Sequence, residues 1–165
     1  MRDIRFRDVS SAYDPRIHHR RSIRLKRYDY RSHAAYFVTF CVQDRLKILS
    51  QIINGKAIHS AAGNALQQSW EAIPRQFPQV DTREMVVMPD HFHGIIILNP
   101  SETRSIALGY VVQQLKIQTA RRLRFLPGPI PKVSWQRNYY ERIIRDATHY
   151  ATVVRYIQNN PANYR

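Results

Sequence analysis

Glu84-Met85-Val86-Val87-Met88-Pro89-Asp90-His91-Phe92-His93-Gly94-Ile95-Ile96-Ile97-Leu98 is the stretch on which the fold turns. Residues 84–88 read as a strand, and residues 91–98 read as another that ends at Asn99-Pro100. Only Pro89 and Asp90 separate them. So short a link joins neighbouring strands running in opposite directions, an antiparallel hairpin. Side chains on a strand alternate faces with a period of two. His91 and His93 therefore share one face, Phe92 takes the other, and Gly94 leaves space beside the pair.

Working outward, residues 36–42 (Tyr-Phe-Val-Thr-Phe-Cys-Val) are β-branched and aromatic and read as a strand. Residues 58–70 place Ala61, Ala62, Ala65, Leu66 and Trp70 at helical spacing, and Pro74 and Pro78 are expected to close that helix. Residues 105–125 carry Ile106, Leu108, Val111, Leu115, Ile117 and Leu123 among cations, which makes a basic amphipathic helix. Pro127, Pro129 and Pro131 forbid its continuation. Residues 133–144, with Trp135, Tyr139, Tyr140, Ile143 and Ile144, read as a fourth strand region. Asp146 or Thr148 caps a last helix through Tyr150, Val153, Val154 and Ile157, which stops before Pro161. The order βαββαβ followed by a helix gives an α+β fold of the ferredoxin-like, RRM-like kind. One antiparallel sheet carries two helices on one face, and the C-terminal helix is added to it. RNA-recognition modules share this topology, but their Arg/Lys-Gly-aromatic-Gly-aromatic signature is missing here. Residues 1–33 read as a basic N-terminal arm and residues 34–165 as a single domain.

The composition narrows the function. The chain has 165 residues, 26 Lys+Arg against 12 Asp+Glu, and a net charge of +14. Such an excess costs self-repulsion and marks a polyanionic partner, nucleic acid first. Arg20, Arg21, Arg24, Lys26 and Arg27 form one basic group, and Lys116, Arg121, Arg122 and Arg124 form another. No acidic residue stands between Glu102 and Glu141. Cys41 is the single cysteine, which excludes a disulfide framework and a Cys-rich zinc module. No apolar run is long enough for a membrane span, and Met1-Arg2-Asp3-Ile4-Arg5 lacks the apolar core of a secretory signal. The expectation is a cytoplasmic protein with no membrane partner.

Two imidazoles on one face of a strand can hold a divalent cation. The last helix offers Tyr156-Ile157-Gln158-Asn159-Asn160. Positions i and i+4 share a helical face, so Tyr156 and Asn160 are neighbours, with Asn159 partly alongside. A carboxamide oxygen is a hard donor. Two imidazoles and one amide oxygen leave positions for phosphate and water, which suits Mg²⁺ or Mn²⁺. A phenol beside such a cation is a candidate nucleophile. Of Tyr139 and Tyr140, one is expected to pack and the other to stack on DNA. Tyr150 is expected to face elsewhere on the helix, and Asp90 is a candidate either to orient His91 or to cap the turn.

Five stretches together carry a family likeness. They are Ile23-Arg24-Leu25-Lys26-Arg27-Tyr28-Asp29-Tyr30, Tyr36-Phe37-Val38-Thr39-Phe40, Val87-Met88-Pro89-Asp90-His91-Phe92-His93-Gly94, residues 135–146 (from Trp135-Gln136-Arg137-Asn138-Tyr139-Tyr140) and Tyr156-Ile157-Gln158-Asn159-Asn160-Pro161. In these the chain resembles the HUH-type single-strand DNA transposases with one catalytic tyrosine, especially the REP-associated tyrosine transposases. The resemblance implies that His91, His93 and Asn160 are the metal ligands and Tyr156 the nucleophile. It implies cleavage of single-stranded DNA with a 5′-phosphotyrosine link and a free 3′-hydroxyl, and DNA hairpins as substrate. Arg20, Arg21, Arg24, Lys26 and Arg27 are then the first choice for hairpin contacts, with Lys116, Arg121, Arg122 and Arg124 second. A monomer or a homodimer is expected, with Tyr156 serving its own or a partner's His pair. The chain ends four residues after Pro161, without the longer tail of some relatives. The competing reading is a non-catalytic protein that binds hairpin DNA or regulates it.

Overall fold

A computed structural model describes residues 24–101, 105–125 and 133–164. Arg20, Arg21, Pro127, Pro129 and Pro131 lie outside them. The strands are β1 (Ala34–Cys41), β2 (Ser50–Ile53), β3 (Lys56–His59), β4 (Val80–Val87), β5 (His91–Leu98) and β6 (Tyr140–Ile144). The helices are α1 (Ala61–Gln76), α2 (Leu108–Leu123) and α3 (Ala147–Asn159). The main sheet runs β4-β5-β1-β6 with every neighbour antiparallel. This is the ferredoxin-like strand order, with β2 and β3 added as a separate hairpin.

The alternation of β1 and β5 sorts the molecule into two cores. Tyr36, Val38 and Phe40 of β1 join Phe92, Ile96 and Leu98 of β5 beneath α1 and α2. Phe40 and Phe92 stack at 4.9 Å, and Trp70 of α1 closes on Phe92 at 5.0 Å. Gly94 sits below that ring: a Cβ there would lie 2.7 Å from Trp70 Cη2. The opposite face of β5 presents His91, His93 and Ile95. Here α3 lies down, with Val153 and Ile157 buried against Val86, Met88, Ile95 and Ile144. Burial of each such aliphatic side chain contributes about 1.5–3 kcal/mol, which fixes α3 on the sheet face that bears the imidazoles. Asp146 caps α3 by accepting a hydrogen bond from the His149 N–H at 2.8 Å. Tyr150 donates to Glu84 Oε2 of β4 at 2.8 Å, so it faces away from Tyr156.

Three details differ from the sequence reading. Residue 58 belongs to β3, and α1 begins only at Ala61, because residues 50–59 fold back as a hairpin around Asn54 and Gly55, both with positive φ. Pro74 lies inside α1, which continues to Gln76. Its missing N–H removes one bond in the last turn, where fewer bonds follow to be disrupted. The strand expected over 133–144 is paired regularly only at Tyr140–Ile144, with an isolated bridge from Trp135 to Val42. The carbonyls of Gln136 and Asn138 in between accept hydrogen bonds from Lys116 Nζ instead of a strand.

Ser60 caps α1, its Oγ accepting from the Ala62 and Gly63 N–H groups at 3.2 Å each. Ser60→Ala is expected to destabilise the protein by about 1 kcal/mol, seen as a lower urea midpoint at unchanged m.

Candidate active site

The turn from β4 to β5 delivers the histidines. The Met88 N–H donates to the His91 carbonyl at 2.8 Å and closes the turn around Pro89 and Asp90. His91 Nδ1 then lies 2.6 Å from Asp90 Oδ1, and Arg45 Nε lies 2.8 Å from Asp90 Oδ2. A carboxylate only accepts, so His91 carries its proton on Nδ1 and turns the Nε2 lone pair toward His93. The two Nε2 atoms stand 3.1 Å apart. His93 Nδ1 meets Thr39 Oγ1 of β1 at 2.6 Å, and the ring stacks on Phe37 at 5.2 Å. Thr39 can donate or accept, so His93 can carry its proton on Nε2, bonded to His91, or on Nδ1, bonded to Thr39. The second arrangement leaves two lone pairs converging on one point.

Burial, with His91 and Arg45 adding to it and Asp90 opposing, pulls His93 down to about 3. Burial also lowers His91, against the pull of Asp90. Both rings are therefore neutral at neutral pH, the form that ligates a metal. Bonds of about 2.1 Å from one cation to two nitrogens at a right angle put those nitrogens about 3.0 Å apart. The observed pair fits that spacing. Among the described residues, no cluster of three or more His, Cys, Asp or Glu side chains is placed to hold a metal. Asp90 is already engaged at both oxygens, by Arg45 and by His91.

Tyr156 comes to the same place from α3. Its ring centroid is 5.4 Å from that of His93 and 5.7 Å from that of Phe37, and the residue is 50% exposed. Asn160 follows one turn later, at the junction of α3 with the 3-10 turn Pro161–Asn163. The β2–β3 hairpin supports that junction: a Cβ on Gly55 would stand 3.5 Å from Ala162.

The candidate cations have several environments. Arg24 lies over the Tyr139 ring at 3.5 Å and pairs with the buried Glu141, which also accepts from Tyr30 Oη at 2.5 Å. Lys116 is half-buried over Phe40, and burial lowers its pKa to about 8. Lys26, Arg27, Arg121 and Arg124 are exposed, while Arg122 is partly buried. Tyr28 and Tyr30, in the segment read as an arm, pack edge-on and tilted against the buried Tyr36. Tyr139 is buried and Tyr140 is 61% exposed.

Two residues of this constellation escaped the sequence reading, Arg45 and Thr39. Arg45 sits in the 3-10 turn Gln43–Arg45, where Asp44 has φ 56° and Arg45 φ 54°. Two consecutive non-glycine residues in the left-handed region store strain of the kind concentrated at functional sites. The turn brings the guanidinium to Asp90 and also to Cys41 Sγ, at 2.8 Å. Thr39 had a findable signal, since antiparallel register sets it opposite His93.

Fold and site define a class: an antiparallel α+β domain with a His-x-His strand and a tyrosine-bearing helix on one face. The family model for IS200-like transposases matches residues 30–160, and the chain belongs to that family. An uncharacterized protein of Haemophilus influenzae is 40% identical over 171 aligned positions, covering 93% of this chain and 94% of that protein. A second protein of that organism, named as a REP-associated tyrosine transposase, is 28% identical over 144 positions, covering 84% of this chain and 76% of the relative. A solved REP-associated tyrosine transposase bound to a REP hairpin shares the fold with a TM-score of 0.61 at 22% identity. That match covers 84% of this chain and 72% of the solved one. No helix among the described residues is long and apolar enough to cross a membrane.

Proposed function

We propose that this chain is a nicking and joining enzyme of single-stranded DNA that recognises DNA hairpins and uses Tyr156 as its nucleophile. The observation that carries the reading is the approach of Tyr156 to His93 within one chain, on the sheet face shared with His91. His91 and His93 would hold Mg²⁺ or Mn²⁺, with Asn160 supplying an amide oxygen from the end of α3. Such an ion supplies Lewis-acid polarisation of the scissile phosphate. The Tyr156 oxygen attacks phosphorus, and the bond from phosphorus to the 3′-oxygen breaks. The phenolic proton passes to solvent and the leaving 3′-oxygen takes one up. The 5′-phosphate stays on the tyrosine. A 3′-hydroxyl of another end reverses the step, so the bond energy is conserved and no nucleotide triphosphate is needed. The fold likeness to a hairpin-bound transposase and the exposed cations Lys26, Arg27, Arg121 and Arg124 support a hairpin substrate.

The test is incubation with labelled single-stranded hairpins and Mn²⁺, a denaturing gel, and mass mapping of the adduct. A covalent species on Tyr156 is expected. Tight binding with no adduct on any hairpin would turn the assignment to a non-catalytic hairpin-binding protein.

The Asp90 contact makes its own prediction. Asp90→Asn, which weakens the hold on His91 Nδ1–H and leaves Arg45 without its ion pair, is expected to lower Mn²⁺ affinity about 10–100-fold by calorimetric titration.

A further inference from the structure

A neutral imidazole has one proton for two nitrogens, and only the bare nitrogen can ligate a cation. At His91 the Asp90 carboxylate makes the choice, since it accepts and never donates. His93 is placed differently. It is 5% exposed, its ring stacks on Phe37, and the Tyr156 ring stands T-shaped to it. Among the described residues it has two hydrogen-bonding neighbours, His91 Nε2 at its Nε2 and Thr39 Oγ1 at its Nδ1. One hydroxyl therefore decides where the proton of His93 goes. The ladder of β1 and β5 brings that hydroxyl into place. The Val42 N–H donates to the Asp90 carbonyl at 2.9 Å, so residues 42 and 90 form a hydrogen-bonded pair. The ladder alternates, which makes Thr39 and His93 a non-hydrogen-bonded pair, in which side chains stand closest. A hydroxyl rotates about its C–O bond and can donate or accept without moving its oxygen. Thr39 also lines an open cavity of about 490 Å³ beside Thr152 and Tyr156 of α3, so its hydrogen has water to turn to.

We propose that Thr39 is a tautomer switch for the paired histidines: by donating to His93 it keeps the pair bonded to itself, and by accepting it frees both Nε2 lone pairs for a divalent cation. In the first state the Thr39 O–H donates to Nδ1, and His93 carries its proton on Nε2 and gives it to His91. One shared proton then closes both nitrogens of the pair. In the second state the hydroxyl turns its hydrogen to water, and His93 Nδ1–H donates to Thr39 Oγ1. The ring loses a proton at Nε2 and takes one up at Nδ1, so its charge does not change. Thr39 is thus a positioning residue that acts through His93. The hydroxyl matters because a buried Nδ1–H needs an acceptor, and Phe37 and Tyr156 present rings to His93 at this place. The proposal rests on the reading of His91 and His93 as cation ligands.

The test compares wild type with Thr39→Val, which keeps the β-branched shape and removes the hydroxyl, and with Thr39→Ser, which keeps the hydroxyl. Mn²⁺ affinity is measured by calorimetric titration at neutral pH. Thr39→Val is expected to bind about 10–100-fold more weakly, and Thr39→Ser within about threefold of wild type. The proton itself is read from nitrogen-15 spectra of the His93 ring, with diamagnetic Mg²⁺ as the cation. All three metal-free proteins are expected to carry it on Nε2. Mg²⁺ at a concentration that saturates wild type is expected to move it to Nδ1 in wild type and Thr39→Ser but not in Thr39→Val. Equal Mn²⁺ affinity of Thr39→Val and wild type, an equal loss in Thr39→Ser, or a His93 proton that stays on Nε2 in Mg²⁺-loaded wild type would overturn the switch. Wild-type protein that binds neither cation would instead overturn the cation reading itself, a result distinct from failure of the switch, in which wild type binds and Thr39→Val binds as well.

Discussion

Tyr156→Phe is expected to reduce the covalent protein–DNA adduct at least about a thousandfold while leaving hairpin binding within about threefold. The change removes one oxygen and nothing else. The ring keeps its edge contacts with Phe37 and His93, and half of the residue is already exposed. Stability should therefore move by no more than about 0.5 kcal/mol. A phenyl ring has no oxygen to give to phosphorus, so the covalent route closes altogether. The measurement is the fraction of labelled hairpin that stays on protein in a denaturing gel with Mn²⁺. An adduct that survives the substitution would move the nucleophile to another tyrosine. Tyr140 would be the first to examine, since it is exposed and stands opposite Thr39 on the sheet.

Gly63→Ala is expected to cost about 3 kcal/mol and to lower Tm by roughly 6–12 °C. A Cβ at position 63 would lie 2.2 Å from the Leu49 carbonyl oxygen. That oxygen accepts from the Ser60 N–H at 2.9 Å, and the Leu49 N–H donates to the Pro89 carbonyl at 2.9 Å. The obstacle is thus backbone held on both sides, and it cannot retreat as a side-chain tip would. Gly94→Ala gives a useful contrast. Its new methyl meets the ring edges of Trp70 and Phe92, which can tilt, so a smaller loss is expected. Thermal melts and urea titrations of the two variants decide the order. A Gly63→Ala protein that melts within about 2 °C of the wild type would contradict the close passage of Leu49 over α1.

Much of this molecule could be read one residue at a time. The two-residue link at Pro89-Asp90 forces an antiparallel pair, and a period of two puts both imidazoles on one face. The helical period sets Tyr156 and Asn160 one turn apart. These are local rules, and they hold whatever the rest of the chain does. The hairpin at residues 50–59 was not legible, because its pattern is short and half polar and Ile58 continues the apolar spacing of the following helix. The fates of the cations were not legible either. Arg24 meets Glu141 and Tyr139, more than a hundred positions along the chain, and Lys116 meets carbonyls of a segment that sequence spacing reads as strand.

Chain-local chemistry thus settled the order of the main-sheet strands and the helices, the paired histidines and the composition of the last helix, but not the β2–β3 hairpin. Which face of the sheet that helix covers depended on folding, because Val153 and Ile157 needed an apolar partner and found it in Val86, Met88, Ile95 and Ile144. The recruitment of Arg45 and Thr39 to the histidines likewise depended on strand register and on a strained turn. Such contacts join residues distant in the chain, and no local period encodes a distance between them.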